Sequence, residues 1–551
     1  MSTDTGGVKF SGIKPLGRLA DQAKALAFST PLYNLTLMGG SPENLLVIPS
    51  DPWPGRSDIG QDILRGSFFF AGEMIEMRDI VWEPQGASND WIAECHRFNW
   101  LRDVKAVSTG AARVRVREMI SSWIDNYDRW TDVIWRPDVL GARLSNWIGT
   151  FSFYGLSADE EFQTKVRLSI ARQTRHLGRV ITDGQLNPVQ SFSALKGLIY
   201  AMIAIGSPKK QLEMPFDLVL KEIKSQILVD GGHISRSPVM LAQVLMILID
   251  LRTVLNLAKL PVPEQIQFAI DKMVPALKFF RHLDGNLCHF NGGFEWDANL
   301  INCILNMSGA RGRPLKRLEH SGYTKMRQGR GVVLTDTGLP QVVDHSRSAH
   351  AAPLAFEFSH GRDRVIVNCG AMSEHGEWFE ALRATAAHST LTLEHRNAVP
   401  IDKEGCFAGL PKVTSEFLQQ GNTSLLEGMH DGYLARYGAR HHRRFYLKDS
   451  GNSLIGEDKL EGCTNGTNFA LRFHLHPTST ASLTGNGNEV LIQTKSKTGW
   501  RFKCIGADSI ALDESVYIGH RGYIRRAQHI VVRGKACAED TLIKWGITRV
   551  M

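Results

Sequence analysis

From Trp91 to Leu283 the apolar residues recur at steps of three and four, whereas beyond about residue 325 they recur at every second position. Residues 91–104, 111–130, 139–155, 162–181, 189–206 and 264–283 each keep one apolar face at the first spacing, which predicts a run of amphipathic helices. The most apolar helix is predicted to begin at Pro238, with the Ser237 hydroxyl as N-cap and proline in the first helical position. Met240, Val244, Leu248, Leu251 and Leu255 hold one face of it, and Leu241, Leu245, Met246 and Ile249 cover most of the remainder. Such a helix must be packed on nearly all sides. Successive helix pairs over this length predict an array closed or curved around a cleft, as in an α/α toroid.

Residues 331–338, 354–370, 388–395, 443–462, 469–477, 488–506, 524–534 and 542–550 alternate apolar and polar positions between Gly, Asn and Asp turns, the pattern of antiparallel strands. The fold class is therefore α+β and multidomain: an N-terminal α/α toroid, an incomplete helical barrel, followed by a C-terminal antiparallel β-sandwich. Residues 91–320 are assigned to the toroid and 325–551 to the sandwich, with the boundary between Leu315 and Gln328. Residues 1–90 are expected to be an irregular segment packed on the toroid, with 1–30 as a flexible entry and a short strand or two in the Pro- and Gly-rich remainder.

Composition narrows this little. A chain of 551 residues, 43% hydrophobic and 22% charged, is an ordinary globular protein too long for one core. The net charge of +8 points to an anionic partner, whether an acidic polysaccharide, nucleic acid or a membrane surface, without choosing among them. The eight cysteines form no CxxC pair and read as reduced, mostly buried thiols. No apolar leader segment opens the chain, and the longest apolar run, Pro238 to Ile249 broken by Gln243, is shorter than a membrane span. A cytoplasmic location follows as the expectation, with export by another route left open; the oligomeric state is not readable. Six of the twelve Trp lie between Trp91 and Trp147, where core packing is favoured over stacking on sugar rings.

Candidate chemistry sits at several places. Asp230, Gly231 and Gly232 form a turn, and His233, Ser235 and Arg236 stand just before the N-terminus of the apolar helix, where an anion or a simple capping role is equally well served. In residues 469–477 the alternation puts Leu471, Phe473 and Leu475 inward and leaves Arg472, His474 and His476 on the other face, as a groove lining or a solvated sheet. Arg440 to Arg444 place five cationic or titratable groups in a row, and charge there is all that supports nucleic acid as a partner. His350 and His388 begin two separate strands, too little on their own to define a metal site.

The motifs DGGHISRSP (230–238), FFRHLDGNLCHFNGG (279–293), SGYTKMRQG (321–329), AHAAPLAFEFSHGRDRVIVNCG (349–370), LRATAAHSTLTL (382–393) and RFHLHP (472–477), in this order, give the chain its resemblance to the heparinase II/III-like polysaccharide lyases, and especially to their bacterial branch without a signal peptide. That resemblance implies β-elimination on a 4-linked uronic acid: the carboxylate is neutralised, a base takes the C5 proton, and an acid protonates the departing glycosidic oxygen. It also implies, in the family, a neutralising Asn or His and a Tyr from the toroid, a His from the sandwich, and a zinc held by His, Asp and His. Here Asn187 falls at the neutralising position, with His233 and Arg236 in the substrate-facing turn; the tyrosine position falls near Met240, and no Tyr occurs between Gly206 and Gly322. The HxHxD pattern reads Ser348, Ala349, His350, Ala351, Ala352; Asn368 takes the next metal position and His388 the last, a set that disfavours zinc.

The expected catalytic residues are thus Asn187, His233, Arg236, His289 and His388, with His233 as base and His289 as second candidate. Asn291, His350, Arg383, Arg472, His474 and His476 are expected to bind substrate; His350, Asn368 and His388 are the weak metal candidates, and no cofactor is expected. The partner is an acidic polysaccharide or oligosaccharide. The alternative is a glycan-binding or scaffolding protein that kept the fold and lost the chemistry.

Overall fold

The computed structural model describes residues 15–40, 42–77, 80–182, 186, 188–341, 346–372, 378–519 and 522–550. Two compact units emerge. The first comprises 1–51, 55–67 and 76–215; the second comprises 52–54, 68–75 and 216–551.

In the first unit lie α1 (Pro15–Ser29), α2 (Pro31–Leu37), α3 (Ser57–Arg65), α4 (Asn89–Arg97), α5 (Leu101–Val107), α6 (Gly110–Tyr127), α7 (Pro137–Tyr154), α8 (Glu160–Val180) and α9 (Pro188–Ala204). The N-terminal stretch is more regular than its composition suggests. Residues 15–29, expected to be a flexible entry, are helical; α2, α3 and the two expected short strands, Ser67–Phe70 and Glu73–Glu76, follow in sequence, with residues 68–75 of those strands belonging to the second unit. The reason is local: Thr30 caps α2 by accepting from the Tyr33 amide, Pro31 takes the first helical position, and Gly66 closes α3 in the left-handed conformation. Nearly every side chain of α7 is buried, and α7 meets α9 backbone to backbone, since a Cβ on Gly197 would lie 2.0 Å from the Gly141 carbonyl oxygen. Five of the six clustered tryptophans, Trp91, Trp100, Trp123, Trp135 and Trp147, fill this core, with Trp123 and Trp147 packed edge to face at 5.2 Å.

α10 (Lys209–Gln226) crosses the division, with Pro215 inside it. α11 (Pro238–Leu257), α12 (Glu264–Phe279) and α13 (Ala298–Ser308) pack on one another within the second unit, together with the strands. α11 begins as its sequence predicts, Ser237 Oγ accepting from the Met240 amide; at 20 residues the helix is long and apolar enough to cross a membrane, but most of it is buried within the protein. Two ties bind these helices to the sheet. Asp230 accepts from the Ser321 amide at 2.7 Å and the Ser321 hydroxyl at 2.8 Å, in a turn where a Cβ on Gly231, at φ +80°, would strike the Lys272 carbonyl. Lys325 Nζ donates to the carbonyls of Phe279 and Arg281, both at 2.7 Å, quenching the negative end of α12.

Apart from the two-stranded sheet of Ser67–Phe70 and Glu73–Glu76, the described strands form two antiparallel sheets. One runs in the order Thr480–Leu483, Glu489–Gln493, Gly499–Ile505, Thr541–Arg549, Ser453–Glu461, Ala439–Lys448, Thr423–Tyr433, Val413–Gln420. The other runs Ser509–Ile518, Ile524–Lys535, Asn468–Leu475, Asp363–Val367, Phe356–His360, Gly331–Asp336, Tyr323–Gln328, Arg317–Leu318, with Leu391–Leu393 paired to Asn468–Leu475. Their facing side chains make one core, in which Trp545 packs on Phe473 at 4.7 Å and on Phe356 at 5.6 Å.

The expected solvated faces are largely closed. In Phe356–His360 every residue is buried, because residues 281–291 and 382–388 cover the face turned away from the other sheet. His474 is therefore inside, with Nε2 donating to the Ala386 carbonyl at 3.0 Å and Nδ1 meeting the Ser515 hydroxyl at 2.8 Å; Arg472 and His476 remain half-buried. The basic row also divides. Arg440, His442 and Arg444 point outward, the last two paired with Glu461 and Glu427, while His441 and Arg443 point inward to Asp458. No continuous cationic strip results, which removes the basis for a nucleic-acid partner.

Candidate functional site

The second unit gathers several of the predicted residues into three buried polar groups. Arg236, held at φ +60°, donates through Nε to the Ser321 carbonyl at 2.7 Å and pairs through Nη2 with Asp336 Oδ1. Asn291, at φ +45°, donates from its side chain to Asp336 Oδ2 at 3.0 Å and to the Tyr323 oxygen, and accepts from the His350 amide at 2.9 Å. Tyr323 in turn donates to the Arg236 carbonyl at 2.8 Å, beneath the guanidinium, which lies 4.8 Å from its ring centre. Burial raises the Asp336 carboxyl above its usual range even though Arg236 pulls it down. Arg236 thus already has its carboxylate, and the expectation that it faces an incoming anion gives way to an internal pair.

His233 is likewise enclosed. Its Nδ1 meets the Ser235 hydroxyl at 2.7 Å and its Nε2 meets Gln226 Oε1 at 3.0 Å, so the turn holds the ring rather than presenting it. Arg383, buried, donates to the Ala349 and Ser346 carbonyls at 3.1 and 3.0 Å and so fixes the loop that carries His350. Asn187 lies outside the described residues.

His350 and His388 stand together, ring centres 4.5 Å apart. The backbone N–H groups of Asn291 and Gly292 point at His350 Nδ1 and Nε2, at 3.1 and 3.0 Å, so whichever nitrogen carries the lone pair meets a donor. Burial first, then the neighbouring His388 and Arg383, drive His350 well below the usual imidazole range. His388 donates from Nε2 to the Leu382 carbonyl at 3.0 Å, which leaves Nδ1 as its lone-pair nitrogen, with no hydrogen-bond partner among the described residues. Asn368 Oδ1 accepts from the Ser389 amide at 3.0 Å and its Nδ2 donates to Glu357 at 3.3 Å. A zinc ion does not fit this set: only His388 Nδ1 retains a lone pair without a donor, and zinc needs three or four converging ligands.

Glu357 is the second hub. Its oxygens accept from His282 Nε2 at 2.9 Å and from the His289 amide at 2.8 Å. Against the penalty of burial, the His282 hydrogen bond and the charges around it hold this carboxyl down at about 2. A glutamate in the otherwise apolar LAFEF run was the signal in the sequence, since a buried carboxylate demands partners. Asp336, Tyr323 and His282 carried no comparable mark.

The third group is Tyr517, on strand Ser509–Ile518. Its hydroxyl lies 3.4 Å from His289 Nε2, the His476 ring packs 5.0 Å away, and Arg525, opposite it on the neighbouring strand, lies 6.0 Å over its ring. Burial lowers His289 to about 4 and His476 to about 3 and raises the Tyr517 phenol, so near neutral pH both imidazoles are uncharged and the phenol keeps its proton. His289 Nδ1 also has no hydrogen-bond partner among the described residues. Arg525 is 41% exposed at its side chain and lies 3.8 Å from Glu295, so this group, unlike the other two, reaches the surface through a cation.

Residues 310–546 match the heparinase II/III-like C-terminal domain family. That stretch, the C-terminal part of the chain, is a heparinase II/III-like domain. Among solved structures it is similar to a heparinase III, with a TM-score of 0.72 at 14% identity, covering 99% of this chain and 92% of that one. It is also similar to a heparan sulfate lyase of Pedobacter heparinus, with a TM-score of 0.60 at 17% identity over 98% and 91%. At these identities the likeness shows the fold, a helical toroid followed by an antiparallel β-sandwich. FtsZ-localized protein C of Caulobacter vibrioides is 29% identical, covering 99% of this chain and 96% of that protein. The heparinase II/III-like domain thus closes a chain whose fold is that of these structures.

Proposed function

We propose that the protein acts on an acidic, uronate-containing glycan by β-elimination, with Tyr517 and His289 as its proton-transfer pair and Arg525 as the cation that meets the uronate. The observation that carries this reading is the Tyr517 hydroxyl beside His289 Nε2, backed by His476 and Arg525. In the reaction the C5 proton passes to the Tyr517 oxygen as the phenol proton moves to the neutral His289, the re-protonated phenol delivers its proton to the departing glycosidic oxygen, and the imidazolium returns its proton to the phenoxide. This pair does the work that the missing toroid tyrosine near Met240 would do, and the lyase fold of the neighbouring structures supports the substrate class. The test is ultraviolet absorbance of the unsaturated uronate product on heparan-, chondroitin- and alginate-type polysaccharides. Tyr517→Phe, which keeps the ring and removes the oxygen, should lower turnover by about a hundredfold or more. Unchanged turnover would remove Tyr517 from the chemistry.

A second reading has a specific observation behind it. Arg236, Asn291, His350 and His233 are engaged in internal hydrogen bonds, and the chain is similar over its whole length to a protein named for its localisation with FtsZ. On this reading the protein is a lyase-fold scaffold that binds glycan, or assembles with FtsZ, without turnover. Retained oligosaccharide binding with no absorbance on any substrate would favour it.

A further inference from the structure

Strands Ser509–Ile518 and Ile524–Lys535 carry their chemistry toward one end and on one face. Tyr517 and Arg525 stand opposite each other in the register, and the Gly519 amide donates to the Tyr523 carbonyl at 2.9 Å. The pairing therefore continues one step past Ile518 and Ile524, which sets Tyr523 two residues from Arg525 on the same side. Opposite Tyr523 stands Gly519, where a Cβ would crowd the Arg525 stem at 3.1 Å; the glycine leaves Arg525 room to cross toward the Tyr517 ring. Tyr523 is 46% exposed, yet one face of its ring is covered, since Phe69, which belongs to the same unit, lies parallel to it at 4.1 Å with 4° between the planes. Phe69 is itself half-buried, between the buried Phe68 and Phe70, so the stack is braced from within.

A tyrosine clamped on a second ring offers its remaining face and its hydroxyl edge, and it loses little freedom when that face is covered. Such a surface is flat, apolar and rimmed by one polar atom. A pyranose is its complement, with C–H groups on the ring face and hydroxyls around the edge. The setting favours a sugar over a protein anchor, because aromatic anchors of protein interfaces sit in dry, well-packed pockets. Here the neighbours are Arg525, 41% exposed at its side chain, and Glu295, 3.8 Å from it, groups that suit a hydroxylated and acidic ligand. Two residues of strand span about 7 Å, so the Tyr523 face lies beside the cation that meets the uronate and clear of the proton-transfer pair.

We propose that the Phe69–Tyr523 stack is a sugar-binding platform that holds, face on ring, the pyranose next to the uronate met by Arg525; the proposal rests on the reading of the Tyr517 group as a uronate site. The test is calorimetric titration of the full chain carrying Tyr517→Phe, so that nothing is consumed, with heparan-, chondroitin- and alginate-type hexasaccharides. The expected result is that at least one hexasaccharide binds. Adding Tyr523→Leu, which keeps an apolar contact for Phe69 but has no flat face, should weaken that binding about tenfold at an unchanged melting temperature. Adding Tyr523→Phe, which keeps the ring, should leave the affinity as it was. Undiminished binding by the leucine variant, a phenylalanine variant as weak as the leucine one, a loss of affinity that only follows a lowered melting temperature, or no binding of any hexasaccharide would overturn the proposal. Titration reads binding whether or not the parent chain turns substrate over. Ring-dependent binding without unsaturated product would therefore strike the proton-transfer reading and leave the platform standing, and product with ring-independent binding would do the reverse.

Discussion

Among the described residues of the second unit, Asp458 and Asp336 are buried aspartates, each beside an arginine, and they are built to different standards. Asp458 sits on a regular strand inside the sandwich. Its Oδ1 accepts from His441 Nε2 and Arg443 Nε, both at 2.7 Å, and its Oδ2 from Trp545 Nε1 at 2.8 Å. A line of neutral imidazoles continues it, the Gly432 amide donating to His430 Nδ1 and His430 Nε2 to His441 Nδ1. Asp336 is surrounded differently: Arg236 and Asn291 reach it from left-handed backbone, and the cluster runs on to His388, whose Nδ1 has no hydrogen-bond partner among the described residues. Strain and an unsatisfied acceptor persist only where the surroundings over-determine them. Arg443 Nη2 in the first network also has no hydrogen-bond partner among the described residues, so the two networks differ in the left-handed backbone of Arg236 and Asn291 rather than in completeness.

The contrast can be broken first at Asp458. Asp458→Ala leaves Arg443 buried without its carboxylate and should lower the unfolding free energy by about 3–5 kcal/mol in urea titration; a loss under about 1 kcal/mol would deny the network its structural role. Acid is the next lever. His289 and His388 titrate near 4 in the folded chain, held down by burial, against about 6.5 when unfolded. Between those values the unfolded state binds protons that the folded state does not. Stability should therefore be full above pH about 6.5, fall by up to about 3 kcal/mol per imidazole as pH drops to about 4, and level off below; a melting temperature flat through that window would contradict it. The smallest effect is expected at the unsatisfied ring itself. His388→Leu removes a buried acceptor that has no donor but also the Nε2–H bond to the Leu382 carbonyl, and the two together should lower stability by about 1 kcal/mol at neutral pH while shrinking the acid loss. The matching His441→Leu, which strips donors from Asp458, should cost clearly more.

Both periodicities were legible in the sequence, and so was the start of α11, because Ser237 and Pro238 act through local geometry. The hairpin of α1 and α2 was not, since its order rests on Tyr33 reaching His176 across 143 positions. The adjacency of His350 and His388 follows the family pattern. What alternation could not show was the covering of the second face of the sheet, which turned His474 from a groove residue into an interior one. Tyr517 and Arg525 had no motif around them; they became visible only when the register set them opposite each other beside residues 289 and 476.

The bonds from Asp230 to Ser321 and from Lys325 to the end of α12 bear on how such a protein can be taken apart. Chain order alone suggests a cut near residue 320, between the last helix and the first long strand. That cut would sever both ties and bare the surface under which Glu357 lies. The smallest transferable piece is instead the sandwich together with α11, α12 and α13. Gene fusions that exchange helical partners around this sandwich should keep those three helices with the strands.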